Sequence, residues 1–117
     1  MGFFVEGVWN PDNSKRTTDG HYQRHVSSFR DHIKADGSSG FRAEPGRYHL
    51  YVSHSCPWAQ RAVIFRELKG LSEVISLSVV DPVMGEEGWV FSDDPGCTPD
   101  TINGASKLGE VYLAAKA

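Results

Sequence analysis

Residues 48–70 read YHLYVSHSCPWAQRAVIFRELKG and carry the strongest structural signals of the chain. Aromatic and β-branched residues over 47–53 predict a short strand. A cysteine, Cys56, follows the strand, and Pro57 suits the first turn of a helix. Apolar residues then continue at helical spacing as far as Gly70, a typical helix stop. The stretch therefore predicts a strand that runs into a helix, with a thiol at the helix N-terminus.

A second strand is predicted over residues 72–80, where polar and apolar side chains alternate loosely. Asp81 and Pro82 end it. A strand, a helix and a strand in this order form a βαβ unit, in which the strands are parallel and the crossover is right-handed. The predicted fold class is therefore α/β.

The remaining segments give weaker patterns. Residues 1–20 hold no regular period and predict an irregular arm, whose aromatic side chains suggest that it docks on something; otherwise Trp9 is a lone exposed apolar residue. Residues 21–35 place apolar side chains in 4-3-4 steps, which predicts a helix. Residues 82–103 predict a long loop and residues 106–116 a short helix. We expect an N-terminal extension over 1–40 and one domain over 41–117.

Composition limits the classes of function. A net charge of -3 gives no reason to expect a nucleic acid or an acidic membrane surface as partner. No run approaches the ~20 apolar residues of a membrane span, and the first residues lack the pattern of a signal peptide. Two cysteines are too few for a disulfide framework, so we expect a reducing, cytoplasmic setting.

A metal site is considered and not predicted. His21 and His25 stand four positions apart, a spacing that can bind zinc, and His32 follows two helical turns later. No further ligand accompanies them, so solvated histidines on a polar helix face are the preferred interpretation.

Cys56 is the candidate catalytic residue, because the free N–H groups and the dipole of a helix N-terminus favour the nucleophilic thiolate. The fourth position of a C-x-x-C motif is Ala59, so a mixed disulfide formed at Cys56 needs an external thiol to release it. His54 and Arg61 are close enough in sequence to support the thiolate. The alternative is that Cys56 is a small buried apolar residue.

Cys97 lies in the acidic loop, where it could act as a resolving thiol. An incidental surface cysteine is the preferred interpretation, because the neighbouring carboxylates disfavour its thiolate form.

These motifs resemble the glutathionyl-hydroquinone reductases, the Xi-class glutathione transferases. The residues that carry the resemblance are RYHLYVSHSCPWAQR over 47–61, FRAEPG over 41–46, SVVDPVM over 78–84 and GWVF over 88–91. A Cys-Pro-aromatic element is shared with Omega-class transferases, whereas the ordered series of segments is specific.

The resemblance implies a partial thioredoxin-like fold, which in the family precedes an all-helical domain. It implies Cys56 as the nucleophile, Trp89 as a residue that contacts glutathione, and a cytoplasmic homodimer that acts on glutathione and quinone-type molecules without a metal. Trp89 could equally be an aromatic anchor of its loop. Family members are much longer, so we expect an incomplete enzyme. The alternatives are a non-catalytic thioredoxin-like module and a glutaredoxin-like enzyme that removes glutathione from proteins.

Overall fold

The computed structural model describes residues 2–11, 19–22 and 26–116. Its strands and helices, numbered in chain order, are β1 (Phe3–Val5), β2 (Val8–Asn10), β3 (Tyr48–Val52), α1 (Pro57–Leu68), β4 (Ile75–Val79) and α2 (Leu108–Lys116). Neither helix has the length and apolar character needed to span a membrane, a finding limited to these residues.

The predicted βαβ unit is confirmed. Strands β3 and β4 pair in parallel, with Tyr48 opposite Ile75 at one end and Val52 opposite Val79 at the other. The apolar side chains that are buried in the described part of the chain lie at the carboxyl ends of this pair: Val52, Val79 and Val80. The core therefore sits where Cys56 follows β3.

The prediction of an irregular arm over residues 1–20 is wrong for residues 3–10. Strands β1 and β2 form an antiparallel hairpin in which Phe4 lies opposite Trp9. Its turn places Glu6 and Gly7 at φ values of 49° and 81°, as in the mirror-image turns that match the twist of paired strands. The Phe4 and Trp9 rings meet edge to face at 5.1 Å, a cross-strand contact that stabilises the hairpin.

The helix predicted over 21–35 is also wrong, since residues 26–35 form no helix. The side chains of the predicted apolar stripe remain largely exposed: Val26 is 87% exposed and Ile33 is 52% exposed. Without burial, the weak helix propensity of Ser27 and Ser28 is not offset. The segment bends back instead, and Lys34 donates its backbone N–H to the Phe41 carbonyl at 3.0 Å. Residues 23–25, including His25, lie outside the described residues.

Helix α1 ends as predicted before Gly70, and its apolar side chains remain largely exposed. None of its residues is buried, and Trp58, Phe65 and Leu68 are 61%, 60% and 77% exposed. Helix α1 contacts β3 on one side, in a sheet of two described strands. On that side, Arg66 donates its Nε hydrogen to the Ile75 carbonyl at 2.7 Å.

The predicted loop after β4 contains no strand or helix over 82–103, but hydrogen bonds fix its path. Thr98 runs beside β4, where its backbone N–H donates to the Val79 carbonyl at 2.9 Å and its hydroxyl accepts the Val79 N–H at 2.7 Å. Helix α2 then begins slightly later than predicted. Glu110 in its first turn accepts hydrogen bonds from the backbone N–H and the hydroxyl of Ser106, each at 3.0 Å.

Candidate functional site

Cys56 occupies the N-cap position of α1, with extended backbone at φ -90° and ψ 114°. Its carbonyl accepts the N–H of Gln60 at 3.1 Å, which is the first hydrogen bond of the helix, and Pro57 follows at the first helical position. The thiol is free, half-buried and makes no capping hydrogen bond with the first turn. It therefore stands at the positive end of the helix dipole, where a negative sulfur is favoured.

Serine side chains hold the turn that presents Cys56. The Cys56 N–H donates to the Ser53 carbonyl at 3.1 Å, and the Ser53 and Ser55 hydroxyl oxygens are 2.9 Å apart. The Ser55 hydroxyl donates to the Pro82 carbonyl at 2.6 Å. This chain of contacts ties the cysteine turn to the segment just after β4. The sequence interpretation gave these serines no role, although their position around the cysteine was visible.

A cavity of about 350 Å³ opens beside the thiol. Cys56 and Trp89, which the resemblance brings to one site, both line it. The rest of the lining comes from the hairpin, β3, α1, the loop and α2: Gly2, Phe3, Phe4, Trp9, Tyr51, Val52, Ser53, Ala59, Met84, Glu87, Gly88, Leu108, Gly109 and Tyr112. Among these residues Glu87 alone carries a charge, and it is paired with Lys107. The cavity is therefore mostly apolar and rich in aromatic side chains.

Trp89 is held against the start of α2. Its carbonyl accepts the N–H of Leu108 at 2.9 Å, and two residues later Phe91 donates its N–H to the Ser106 carbonyl at 3.0 Å. Trp89 is half-buried. Trp89 therefore lines the cavity while its backbone is fixed on the helix, and its role as a glutathione contact stays a prediction.

His54 and Arg61 are placed elsewhere. The Arg61 guanidinium lies over the Trp58 ring, 4.8 Å from its centroid, on the exposed side of α1. The His54 imidazole is exposed, with its Nδ1 atom 3.5 Å from the Gln60 amide nitrogen. Neither residue lines the cavity around Cys56. Their support of the thiolate stays a prediction.

A buried carboxylate at the end of the loop holds Tyr51, one of the residues that line the cavity. Asp100 accepts the Tyr51 hydroxyl at 2.8 Å and the backbone N–H groups of Ile102, Asn103 and Ala105 at 3.0 to 3.1 Å. Burial alone would raise the pKa of Asp100, but these hydrogen bonds together lower it to about 2.

Tyr51 experiences the opposite effect, since burial and the adjacent carboxylate raise its pKa to about 12. The Tyr51 side chain lines the cavity as a neutral phenol. This pair joins β3 to the far end of the loop across 49 positions of sequence, which is why local patterns did not reveal it.

The other candidates remain apart. Cys97 is half-buried in a turn where its N–H donates to the Asp94 carbonyl at 3.0 Å, and it does not line the cavity that holds Cys56. Within the described ranges, no group of three or more histidine, cysteine, aspartate or glutamate residues could hold a metal ion. Of the two histidines considered as a metal pair, His25 lies outside those ranges.

Comparison with known proteins gives a consistent set of relatives. No protein-family model matches the chain. The chain is 47% identical over 116 residues to glutathionyl-hydroquinone reductase PcpF of Sphingobium chlorophenolicum, covering 98% of this chain and 36% of that protein. It is also 47% identical over 123 residues to glutathionyl-hydroquinone reductase YqjG of Escherichia coli, covering 98% and 38%. The chain thus spans little more than a third of the curated relatives it matches.

Solved structures agree. An Xi-class glutathione transferase of Natrialba magadii matches with a TM-score of 0.82 and 41% identity, over 97% of this chain and 33% of that one. The glutathione-bound structure of YqjG matches with a TM-score of 0.71 and 49% identity, over 76% of this chain and 32% of that one. At these identities the similarity holds in amino-acid sequence as well as in fold. The predicted resemblance to the N-terminal, thioredoxin-like part of the Xi-class glutathione transferases, the glutathionyl-hydroquinone reductases, is therefore confirmed.

Proposed function

We propose that this chain carries the thiol site of a glutathione-dependent reductase that converts glutathionyl-hydroquinones into hydroquinones. The observation that carries the proposal is the position of Cys56 at the N-terminus of α1, in one cavity with Trp89 and without a second cysteine in the following turn. The names of the curated relatives support the substrate class, and the glutathione-bound relative supports glutathione as co-substrate.

The reaction has two thiol steps. The Cys56 thiolate attacks the sulfur of the glutathionyl-hydroquinone, so that an S–S bond forms and the carbon–sulfur bond breaks. The electron pair of that bond leaves on the ring carbon, which takes up a proton and becomes the hydroquinone. A second glutathione thiolate then attacks the mixed disulfide, which releases oxidised glutathione and restores the Cys56 thiolate. Two glutathionyl sulfurs are oxidised and one ring carbon is reduced, so the electrons balance.

The lining of the cavity favours an aromatic substrate over a polypeptide. Phe4, Tyr51 and Trp89 offer ring surfaces on which a flat ring can pack. The lining residues include no lysine or arginine that could pair with the carboxylates of glutathione. We propose that those charges are bound outside this cavity.

The decisive experiment follows the adduct rather than turnover. The chain is incubated with glutathionyl-menadiol, and the products are analysed by intact-mass and peptide mass spectrometry. We expect one glutathionyl group on Cys56 together with free menadiol, and no adduct in Cys56→Ser. Cys97→Ser is the matched control and should form the adduct at the wild-type rate.

Other outcomes identify the alternatives. Absence of an adduct on a folded wild-type chain would favour a non-catalytic thioredoxin-like module. Faster transfer from a glutathionylated peptide than from glutathionyl-menadiol would favour an enzyme that removes glutathione from proteins. An adduct on Cys97 alone would contradict the assignment of the nucleophile.

We also propose, on the resemblance alone, a cytoplasmic homodimer. Sedimentation analysis tests the oligomeric state. A strictly monomeric protein across the micromolar range would contradict the dimer.

A further inference from the structure

The N-terminal hairpin packs directly against the loop segment that carries Trp89. The indole N–H of Trp9 donates to the Glu86 carbonyl at 2.7 Å. A Cβ atom placed on Gly88 would lie 3.0 Å from the Trp9 ring, and Gly88 is buried with φ at +79°. The ring therefore lies flush with the backbone of the residue that precedes Trp89, a position that favours glycine.

The hairpin is fixed on its other side by Phe4. A Cβ atom on Gly109 of α2 would lie 2.9 Å from the Phe4 ring, so that ring also contacts backbone. Phe4 and Trp9 meet edge to face, and both line the cavity that Cys56 and Trp89 share. The aromatic pair thus bridges α2 and the Trp89 loop.

We propose that Trp9 is a positioning residue of the thiol site. It holds the backbone of residues 86–89 in place, and this backbone in turn determines where the glutathionyl group lies beside Cys56. This assignment rests on the proposed function. Trp9 contacts two backbone groups of this segment. Its hydrogen bond fixes the position of the Glu86 carbonyl, and its ring limits how closely Gly88 can approach the hairpin. A displacement of about 1 Å at a reacting group can cost up to 10²-fold in rate.

The experiment uses Trp9→Phe and Trp9→Leu. The first keeps an aromatic ring and loses the N–H donor, and the second loses both. Val8→Thr is the matched control, because Val8 is a β-branched residue of the same hairpin that is exposed and does not line the cavity. Urea unfolding of each variant establishes the fraction that is folded.

Two readouts separate positioning from mere stability. Hydrogen exchange measures the protection of residues 84–91 relative to β3 and β4. The second readout is the ratio of two rates at Cys56, namely mixed-disulfide formation with oxidised glutathione and alkylation by iodoacetamide. Alkylation reports the thiol itself, whereas disulfide formation also requires the glutathionyl group to be placed.

We expect Trp9→Leu to speed exchange over 84–91 and to lower the rate ratio about tenfold, with a smaller effect for Trp9→Phe and none for Val8→Thr. An unchanged rate ratio in Trp9→Leu, or unchanged exchange over 84–91, would overturn the assignment. A wild-type chain that forms no adduct at Cys56 would overturn the proposed function and this assignment with it, and that result is visible before any variant is made.

Discussion

Cys56 combines a helix N-terminus, a half-buried sulfur and a turn held by serine hydroxyls. Each feature acts within a few residues of the thiol, so the chemistry of this site is local. The missing partner cysteine is equally local, because Ala59 takes its place. We expect such a thiol to exchange with an external thiol rather than to close an internal disulfide.

The two cysteines should differ in reactivity. We expect iodoacetamide to alkylate Cys56 about tenfold faster than Cys97 near neutral pH, because Cys56 lies at a helix N-terminus whereas Cys97 lies in a loop turn beside Asp93 and Asp94. Timed digestion and peptide mass spectrometry measure both rates in one sample. Cys97→Ser should leave the Cys56 rate unchanged, and equal rates for the two thiols would contradict an activated Cys56.

Asp100 stabilises the end of the loop beside Tyr51 of β3. Replacing it with alanine leaves the Tyr51 hydroxyl and the N–H groups of Ile102, Asn103 and Ala105 without their acceptor. We expect Asp100→Ala to lower the free energy of unfolding by about 3 kcal/mol, and Tyr51→Phe by about 1 kcal/mol, since the latter removes one donor. Urea titration measures both, and a smaller loss for Asp100→Ala than for Tyr51→Phe would contradict this role.

The same carboxylate makes stability depend on acid. Its pKa is about 2 in the folded chain against 3.8 for the unperturbed group. A lowered pKa of an acid stabilises the fold above the unfolded value, and this contribution is lost as pH falls from about 4 towards 2. We expect the urea midpoint of the wild type to drop over that window, with a shallower drop in Asp100→Asn. Parallel pH profiles for the two proteins would refute the assignment.

At the scale of elements, the β3–α1–β4 unit could be predicted because each signal is contiguous in sequence. The strand has aromatic and β-branched residues, and Pro57 marks the helix start. The hairpin could not be predicted in this way. Its strands are three residues each, its turn is Glu6-Gly7 rather than the stronger Asn-Gly or Asp-Gly, and its Trp9 contacts a residue 77 positions away.

The apolar side of α1 shows the limit of periodicity. The pattern predicted a helix, and a helix forms, but periodicity does not say what covers the apolar side. We expect Leu68→Ser to change the free energy of unfolding by less than about 0.5 kcal/mol, since its side chain is 77% exposed. Val52→Ala, at a position that is 2% exposed, should cost about 2 kcal/mol. Equal losses in urea titrations would show that the outer side of α1 is covered in solution.

At the scale of the molecule, the buried core is small and much apolar surface is exposed. The buried apolar side chains of the described part are three valines, whereas Trp58, Ile64, Phe65 and Leu68 are exposed along one helix. Contiguous apolar surface of this kind marks a place where protein normally packs.

This surface should bind a hydrophobic dye. We expect the folded chain to raise the fluorescence of anilinonaphthalene sulfonate in the absence of denaturant. The double variant Phe65→Ser/Leu68→Ser should reduce that signal while the urea midpoint stays near the wild-type value. If the folded wild-type chain does not raise the dye fluorescence, this apolar surface is covered in solution.

The parallel pairing of β3 and β4 has a consequence for handling the protein. No other described strand pairs with β3, so its outer margin offers an unpaired row of backbone donors and acceptors. Such a strand edge is a template for strand addition by another chain, and nothing in the run Tyr48–Val52 blocks it with a proline or a lysine. We therefore expect concentrated samples to associate edge to edge.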